Sequence, residues 1–195
     1  SQLYPRGQGE HETWVHPGPV SEPLCGTSRP GFFRGVTTVV AKLFHIVEPD
    51  VAVFGKKDYQ QWRVISTMVD DLDMPIEIVG MPIVREADGL ALSSRNARLL
   101  PGHREAATAV PESLTLAEQC ITDGERSPDR VVEIVRRHLQ QSGGVVDYIA
   151  LVDAKRLRPV APLEGLIVAA VAVNYGEVRL IDNREIPVPD PASGA

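Results

Sequence analysis

The sequence has little of what marks several large classes of protein. Its 195 residues carry 20 Lys and Arg against 26 Asp and Glu, and this net charge of -6 argues against the broad basic face that nucleic acids and membranes require. The two cysteines, Cys25 and Cys120, form no CxxC pair and indicate isolated thiols in a reducing compartment. The longest apolar run, Leu166 to Val173, is too short to cross a bilayer. We therefore expect a cytoplasmic protein that binds neither nucleic acid nor membrane.

Common sequence motifs of catalysis are missing as well. There is no P-loop, GxGxxG or GxSxG motif, and no Ser-His-Asp set can be nominated from spacing. The 5 histidines show no metal-ligand spacing, so we predict no metal site made of protein side chains. Because the net charge is negative, any anionic ligand must be held by a few local lysines and arginines and by backbone N–H groups.

The order of apolar segments, in contrast, predicts an α/β fold. Helical spacing from Val36 to Val47 is followed by "VAVF", Val51 to Phe54, a run typical of a strand buried on both faces of a parallel sheet. A second amphipathic helix, Tyr59 to Leu72, leads to another short strand, Ile76 to Gly80. Helix, strand, turn, helix and strand together predict the βαβ arrangement of a doubly wound fold.

A change of character near Val84 predicts a second domain. We place the first domain at residues 1–84 and a smaller α+β domain at 85–195, with a disordered tail over 187–195. The second domain has a helical stretch that Pro111 must kink or split. Three strand candidates close the chain: "VVDYIALVD", "LIVAAVAV" and "VRLIDN".

A charged turn directly follows the first predicted strand. "GKKD", Gly55 to Asp58, lies where ligands collect in an open parallel sheet, beyond the carboxyl ends of the strands. Gly55 lets the backbone come close to a ligand, and a lysine here can neutralise a phosphate. Asp58 can cap the next helix or accept a hydrogen bond from a ribose hydroxyl, and Gln61 lies one turn further on the same side. The alternative is a solvated turn with an aspartate cap.

A second candidate is the loop "DGLALSSRN", Asp88 to Asn96. Its two adjacent serines and its arginine can donate several hydrogen bonds to phosphate oxygens, and the arginine can do so with two N–H groups at once. The alternative is a serine-rich linker between domains, for which this composition is usual.

A third candidate is "GTSRPGFFRGV", Gly26 to Val36. Arg29 and Arg34 can reach a ligand from this segment. The surrounding prolines and phenylalanines look like packing residues, so the stretch favours the alternative that both arginines brace a loop or a subunit contact.

In order and spacing, these stretches resemble one family. "LYPRG", "RPGFFRGV", "VFGKKDYQQ", "EIVGMPIVREADGLALSSRN" and "RLIDN" are similar to successive motifs of the pantothenate synthetase (pantoate–β-alanine ligase) family. The resemblance covers nearly the whole chain and is strongest from Arg29 to Asn96. It implies a Rossmann-like nucleotidyltransferase domain, of which this chain holds an incomplete parallel sheet. A smaller α+β lid domain follows, usually in a homodimer.

The resemblance also implies a reaction in two steps. ATP and pantoate give pantoyl adenylate and pyrophosphate with Mg²⁺, and the amine of β-alanine then displaces AMP to give pantothenate. Adenylation needs in-line geometry and positive charge where the phosphates become more negative.

Site residues follow by position from the resemblance. The turn Gly55 to Asp58, which includes Lys56, matches the ATP-binding turn of the family. Gln61 matches a glutamine that holds pantoate, and Val84 matches a backbone contact to adenine. The loop that closes on the phosphates, a counterpart of the KMSKS loop of class I aminoacyl-tRNA synthetases, corresponds to Leu92, Ser93, Ser94 and Arg95. The residues expected to carry the chemistry are Lys57, Ser93, Ser94 and Arg95.

Two departures from the family pattern leave alternatives open. Lys56 stands at a position that is usually acidic, and we expect its side chain to point to solvent. The chain has no H-x-G-H motif, which binds the ATP phosphates in the family. We therefore expect a fragment that is inactive alone, or a chain whose partner supplies the rest. The alternatives are a related adenylate-forming ligase for another carboxylate and a non-catalytic relative that acts as a dimerisation module.

Overall fold

The structure is a computed structural model that describes residues 3–4, 7, 10 and 12–189. The chain divides into two compact units between Met81 and Pro82, three residues before the predicted boundary at Val84. Each unit has its own apolar core. Within the described residues, every helix is too short or too polar to cross a membrane.

The first unit is built around two parallel strands. Its main elements are α1 Cys25–Ser28, α2 Phe32–Val47, β1 Val51–Gly55, α3 Tyr59–Asp71 and β2 Glu77–Met81, with 3-10 turns at Pro19–Ser21 and Lys56–Asp58. In the register, Val51 lies opposite Glu77 and Gly55 opposite Met81. Because β1 and β2 are parallel and joined by α3, the predicted βαβ arrangement is confirmed.

One face of this small sheet carries the core of the unit. Ala52 and Phe54 of β1 point toward a cluster with Phe44 of α2 and Ile65 of α3. The alternate residue Val53 is 61% exposed, because the described helices cover only one face. The prediction that "VAVF" is buried on both faces is therefore wrong for the described chain.

The second unit is an antiparallel sheet packed against helices. Its elements are the 3-10 turn Asn96–Arg98, α4 Pro101–Ala106, α5 Ala109–Thr122, α6 Pro128–Gln141, β3 Val145–Asp153, β4 Leu166–Tyr175 and β5 Val178–Pro187. The strand order is β3-β4-β5. Leu114 of α5, Val135 of α6 and Ile167 of β4 are fully buried in one core. The predicted α+β class and all three strand candidates are confirmed.

Two details of the second unit can be compared with the predictions. The helical stretch is split in two as one of the predicted outcomes has it, but the break lies at Ala107 and Thr108, and Pro111 lies in the first turn of α5, where a missing N–H costs no helical hydrogen bond. The disordered tail predicted from residue 187 is wrong for residues 187–189. Val188 N donates to Gly165 O at 2.8 Å. Residues 190–195 lie outside the described residues.

Candidate functional site

The charged turn lies at the carboxyl edge of the parallel strands. Gly55 closes β1 opposite Met81, and the 3-10 turn Lys56–Asp58 joins it directly to α3. A Cβ added at Gly55 would meet no atom within 4 Å. The backbone at the end of β1 is therefore open to a ligand, at the position where parallel sheets bind ligands.

Asp58 takes the N-cap position of α3 without performing the capping function. Its carboxylate is exposed, and it makes no side-chain hydrogen bond to the helix it precedes in the described chain. The interpretation of this turn as a solvated aspartate cap thus loses its main support. An exposed carboxylate at this point remains available to hydroxyl donors.

Lys56 does not point to solvent as expected. Its side chain is half-buried, and its Nζ lies 4.8 Å from the centroid of the Trp62 ring. The ring also contacts Tyr59 edge-on, with the two centroids 5.2 Å apart. Attraction between a cation and an aromatic face, together with burial of the lysine stem, favours this position over a solvated one.

A glycine in β2 makes room for this arrangement. A Cβ at Gly80 would lie 2.7 Å from Trp62 Cε2 and 3.0 Å from Lys56 Cε. We expect Gly80→Ala to lower the free energy of unfolding by about 1–3 kcal/mol, because the added methyl group forces the indole to move. Urea denaturation followed by circular dichroism measures this change.

Gly35→Ala is the matched control for that substitution. A Cβ at Gly35, in helix α2 of the same unit, would meet no atom within 4 Å. Replacing a helical glycine by alanine is expected to raise stability by about 0.5–1 kcal/mol. Equal stability of the two variants would show that Trp62 does not depend on the glycine.

The two glutamines of "DYQQ" differ sharply in their contacts. The buried Gln60 accepts from Cys25 N at 3.0 Å and donates to Pro23 O at 2.6 Å and Val20 O at 3.2 Å. The half-buried Gln61 makes no hydrogen bond through its amide within the described chain. Gln60 therefore joins α3 to the segment before α2, while the amide of Gln61 remains available to a ligand.

Two of the predicted site residues of the second unit, Val84 and Leu92, lie at the ends of a short hairpin. Leu92 N donates to Val84 O at 2.9 Å, so two residues that the resemblance assigns to ATP binding are directly joined. Arg85 and Ala91 form an antiparallel bridge inside this pair. Gly89 turns the chain with a φ of +88°, which favours glycine. We call residues 84–92 the hairpin loop.

Ser93, Ser94 and Arg95 follow the hairpin loop in a tight turn. Arg95 N donates to Ser93 Oγ at 3.2 Å, and Asn96 N donates to Ser93 O at 3.0 Å. The side chains of Ser94 and Arg95 are exposed, and neither has a hydrogen-bond or ionic partner in the described chain. A hydroxyl and a guanidinium are thus presented outward from a braced turn.

Charged side chains behind this turn provide the brace. Glu86 accepts from Asn96 Nδ2 at 2.6 Å, and Arg104 binds Glu86 at 2.7 Å and Asp88 at 2.6 Å. Hydrogen bonds from Asn96 and Arg104 lower the pKa of Glu86, and those from Arg104 and Leu90 N lower the pKa of Asp88. Both carboxyl groups therefore stay ionised, and the loop keeps its shape.

Sequence reasoning missed these bracing roles. Glu86 and Arg104 are 18 positions apart, and nothing in composition or periodicity links them. The one available signal was the density of charge in "READG" after an apolar stretch, because clustered opposite charges next to a loop often pair.

The arginines of the third candidate stretch pack on aromatic rings. The guanidinium carbon of Arg29 lies 3.6 Å from the centroid of Phe32, and that of Arg34 lies 4.3 Å from the centroid of Trp14. Both contacts join neighbouring parts of the first unit. The structure thus favours the bracing interpretation of this segment over ligand contact.

Comparison with known proteins brings these features together. The pantoate-beta-alanine ligase family profile matches residues 1–185. The chain is 49% identical over 176 residues to the pantoate–beta-alanine ligase of Lotus japonicus, covering 90% of this chain and 57% of that protein. It is 49% identical over 187 residues to the pantothenate synthetase of Desulfitobacterium hafniense, covering 94% of this chain and 64% of that protein. The chain therefore spans about 60% of the length of these relatives.

Solved structures agree with the sequence relatives. Pantothenate synthetase from Thermus thermophilus superposes with a TM-score of 0.88 at 40% identity, covering 95% of this chain and 67% of that one. Pantoate-beta-alanine ligase from Francisella tularensis, in complex with beta-gamma ATP and beta-alanine, superposes with a TM-score of 0.69 at 31% identity. This match covers 93% of this chain and 60% of the Francisella chain. These matches support the nucleotidyltransferase-like α/β unit with its α+β neighbour. The chain belongs to the pantoate-beta-alanine ligase family.

Proposed function

We propose that this chain carries ATP-binding and pantoate-binding parts of an enzyme that condenses pantoate with β-alanine. The product is pantothenate, formed through pantoyl adenylate with release of pyrophosphate and AMP. Family membership over residues 1–185 supports this assignment, as does the Francisella relative bound to beta-gamma ATP and beta-alanine.

The contrast between Gln60 and Gln61 is the observation that carries the proposal. Two adjacent amides lie in the first turn of α3, and only Gln61 keeps its hydrogen-bonding groups available in the described chain. Pantoate offers hydroxyl groups and a carboxylate, which an amide can bind by donating and accepting at once. Gln61 also follows the open turn at the end of β1 by three residues, so acid and nucleotide can be held side by side.

The first step of the proposed reaction is attack on ATP by the acid. A pantoate carboxylate oxygen forms a bond to the α-phosphorus, and the bond from that phosphorus to the pyrophosphate oxygen breaks. Negative charge grows on the leaving pyrophosphate, so positively charged donors placed there lower the barrier. Lys57 at the strand end and Arg95 after the hairpin loop are the side chains that supply this charge, with Ser93 and Ser94 as hydroxyl donors.

The second step releases AMP. The amine of β-alanine attacks the acyl carbon of the adenylate, and the bond from that carbon to the bridging oxygen breaks. AMP leaves with the bridging oxygen, and the nitrogen loses a proton as the amide forms. By resemblance, the backbone at Val84 contacts the adenine during both steps, and Leu92 belongs to the loop that closes on the phosphates.

Mg²⁺ enters the proposal as part of the nucleotide substrate. Within the described residues there is no group of three or more His, Cys, Asp or Glu side chains that could hold a metal ion. Mg²⁺ commonly binds through substrate phosphates, water and one or two carboxylates. The donors present fit an ion that arrives on ATP, with the exposed carboxylate of Asp58 as one available ligand.

We further infer a homodimer in the cytoplasm, on the strength of the family resemblance. The net charge of -6 supports the absence of nucleic-acid and membrane partners. Light scattering of the purified full-length protein tests the dimer, and a monomeric mass at micromolar concentration would contradict it.

A substrate-omission assay tests the proposed reaction. The full-length protein is incubated with ATP, Mg²⁺, pantoate and β-alanine, and pantothenate is measured by mass spectrometry. We expect product only when all components are present. Turnover of another carboxylate in preference to pantoate would favour a different adenylate-forming ligase. A folded dimer without turnover of any carboxylate would favour the non-catalytic module.

Gln61→Ala separates the pantoate site from the ATP site. Loss of the amide is expected to raise KM for pantoate by about 10- to 100-fold, equivalent to 1–3 kcal/mol of lost hydrogen bonding, while KM for ATP changes by less than about twofold. Steady-state kinetics with each substrate varied in turn gives both constants.

Gln60→Ala is the matched control for that variant. Its three hydrogen bonds are internal, so the substitution is expected to lower the free energy of unfolding by about 1–3 kcal/mol. The ratio of the two KM values should stay unchanged in the Gln60 variant. Equal increases of both KM values in Gln61→Ala would show that its role is misassigned.

A further inference from the structure

Asp182 is an unusual residue for the interior of the second unit. Of the residues that the structure describes, it is the only one that is buried and carries a charged side chain, with 2% of its surface exposed. It lies in β5 on the same side as the buried Leu180. A carboxylate removed from water is strongly unfavourable unless it is paired and hydrogen-bonded. The motif "RLIDN", which contains Asp182, also has no role in the site described above.

The partner of Asp182 is a residue of the hairpin loop. Arg85 Nη1 lies 2.7 Å from Asp182 Oδ2, and Arg85 Nη2 lies 3.1 Å from Oδ1. Asn183 N adds a third hydrogen bond to Oδ1 at 2.8 Å. Two parallel N–H donors on one carboxylate fix the direction of the guanidinium as well as its distance.

Arg85 passes this constraint to the far side of the hairpin loop. Its Nη1 also donates to Gly89 O at 3.0 Å, so one guanidinium binds both β5 and the turn of the loop. The backbone of Arg85 pairs with Ala91, and Leu92 N is held by Val84 O. Ser93 follows Leu92 directly. The backbone of Arg85 therefore helps to fix the position from which the turn of Ser93, Ser94 and Arg95 starts.

We propose that Asp182 is a positioning residue that acts through Arg85 to hold the hairpin loop, and with it Ser93, Ser94 and Arg95, in the geometry required for the phosphates of ATP. The inference rests on the proposed role of that turn in ATP binding. A buried ion pair is weak support for stability alone, because apolar residues of similar volume often serve as well. Fixing one loop geometry gives the pair a function that apolar residues would not provide.

Asp182→Asn in the full-length protein tests this role with two measurements. Amide hydrogen exchange of residues 85–95 is expected to become at least about tenfold faster, because the loop opens locally. The value of kcat/KM for ATP is expected to fall about 10- to 100-fold, the penalty for a small displacement of catalytic groups. KM for pantoate should change by less than about twofold, since Gln61 belongs to the other unit.

Asp147→Asn is the matched control. It removes another aspartate–arginine pair of the same sheet, more exposed than that of Asp182, in which Arg179 Nη2 lies 2.7 Å and Nε 2.9 Å from Asp147 Oδ2. That pair joins β3 to β5 and does not touch the hairpin loop, so exchange in residues 85–95 should stay unchanged.

Arg85→Lys is the second test variant. Lysine keeps the positive charge but cannot donate two parallel N–H groups to Asp182, so we expect kcat/KM for ATP to fall in this variant, as in Asp182→Asn.

The outcomes distinguish this inference from the proposed function. Unchanged exchange in residues 85–95 would overturn the positioning role. Faster exchange throughout the second unit, with all KM values raised alike, would mean simple destabilisation and would also overturn it. Faster exchange confined to the loop with unchanged kinetics for ATP would show that the turn does not act on ATP, which contradicts the proposed function instead.

Discussion

Lys57→Ala in the full-length protein is expected to slow pyrophosphate release from ATP by about a thousandfold and to leave the fold intact. The side chain lies in the 3-10 turn at the open end of β1, where an ammonium group can face the phosphates. Positive groups aimed at charge that develops in a transition state are worth about 100- to 1000-fold each. Coupled detection of pyrophosphate at saturating ATP and pantoate measures the rate.

Lys42→Ala is the control for loss of a lysine from the same unit. Its Nζ lies on α2, 4.4 Å from the centroid of the Tyr4 ring, outside the charged turn. Both side chains are partly exposed, so each substitution is expected to lower the free energy of unfolding by no more than about 1 kcal/mol. Near-normal pyrophosphate release by Lys57→Ala would remove Lys57 from the site.

Arg95→Ala is expected to lower kcat/KM for ATP by about 100-fold. Its guanidinium is exposed on a turn that Asn96, Glu86 and Arg104 brace from behind, so the loss removes charge without disturbing the brace. Arg95→Lys should recover part of the activity, because charge is kept while the paired donors are lost. Steady-state kinetics with varied ATP gives the values.

Arg98→Ala is the control for charge in the same segment. Arg98 is also exposed and lies three residues further, in the 3-10 turn Asn96–Arg98. Its removal is expected to change kcat/KM for ATP by less than about twofold. Similar losses in the two variants would point to a general electrostatic effect of the segment and not to a specific contact by Arg95.

The spacing of apolar residues was enough to predict most strands of the structure. Strand β3 occupies the stretch "VVDYIALVD", Val145–Asp153, with the predicted bounds, and β4 and β5 begin at the predicted residues. Apolar alternation and turn residues act within a few positions, so a single sequence contains the signal. The parallel pairing of β1 with β2 was predictable for the same reason, since a helix of α3's length connects parallel strands.

Contacts between distant positions could not be predicted in this way. Arg85 and Asp182 are 97 positions apart, and only the fold brings them together. The sequence contained a partial signal, because alternation in "VRLIDN" places Asp182 on the same side as Leu180, where a carboxylate requires a partner. It did not indicate which arginine fills that role.

The orientation of side chains was the least predictable feature. Lys56 was expected in solvent because charged turn residues are usually solvated, but a glycine at position 80 allows Trp62 to lie beneath it. In the same way, two identical glutamines in sequence differ only because the segment before α2 binds one of them. The contacts of these side chains depend on tertiary packing, which cannot be deduced from the sequence of the segment alone.

Exchange of labelled pyrophosphate into ATP, catalysed by the full-length protein in the absence of β-alanine, tests the central claim most directly. If the chain helps to form pantoyl adenylate, exchange requires pantoate and Mg²⁺, falls about a thousandfold in Lys57→Ala, and leaves no net AMP until β-alanine is added. Exchange that proceeds without pantoate, or that begins only after β-alanine is supplied, would contradict an adenylate intermediate at this site.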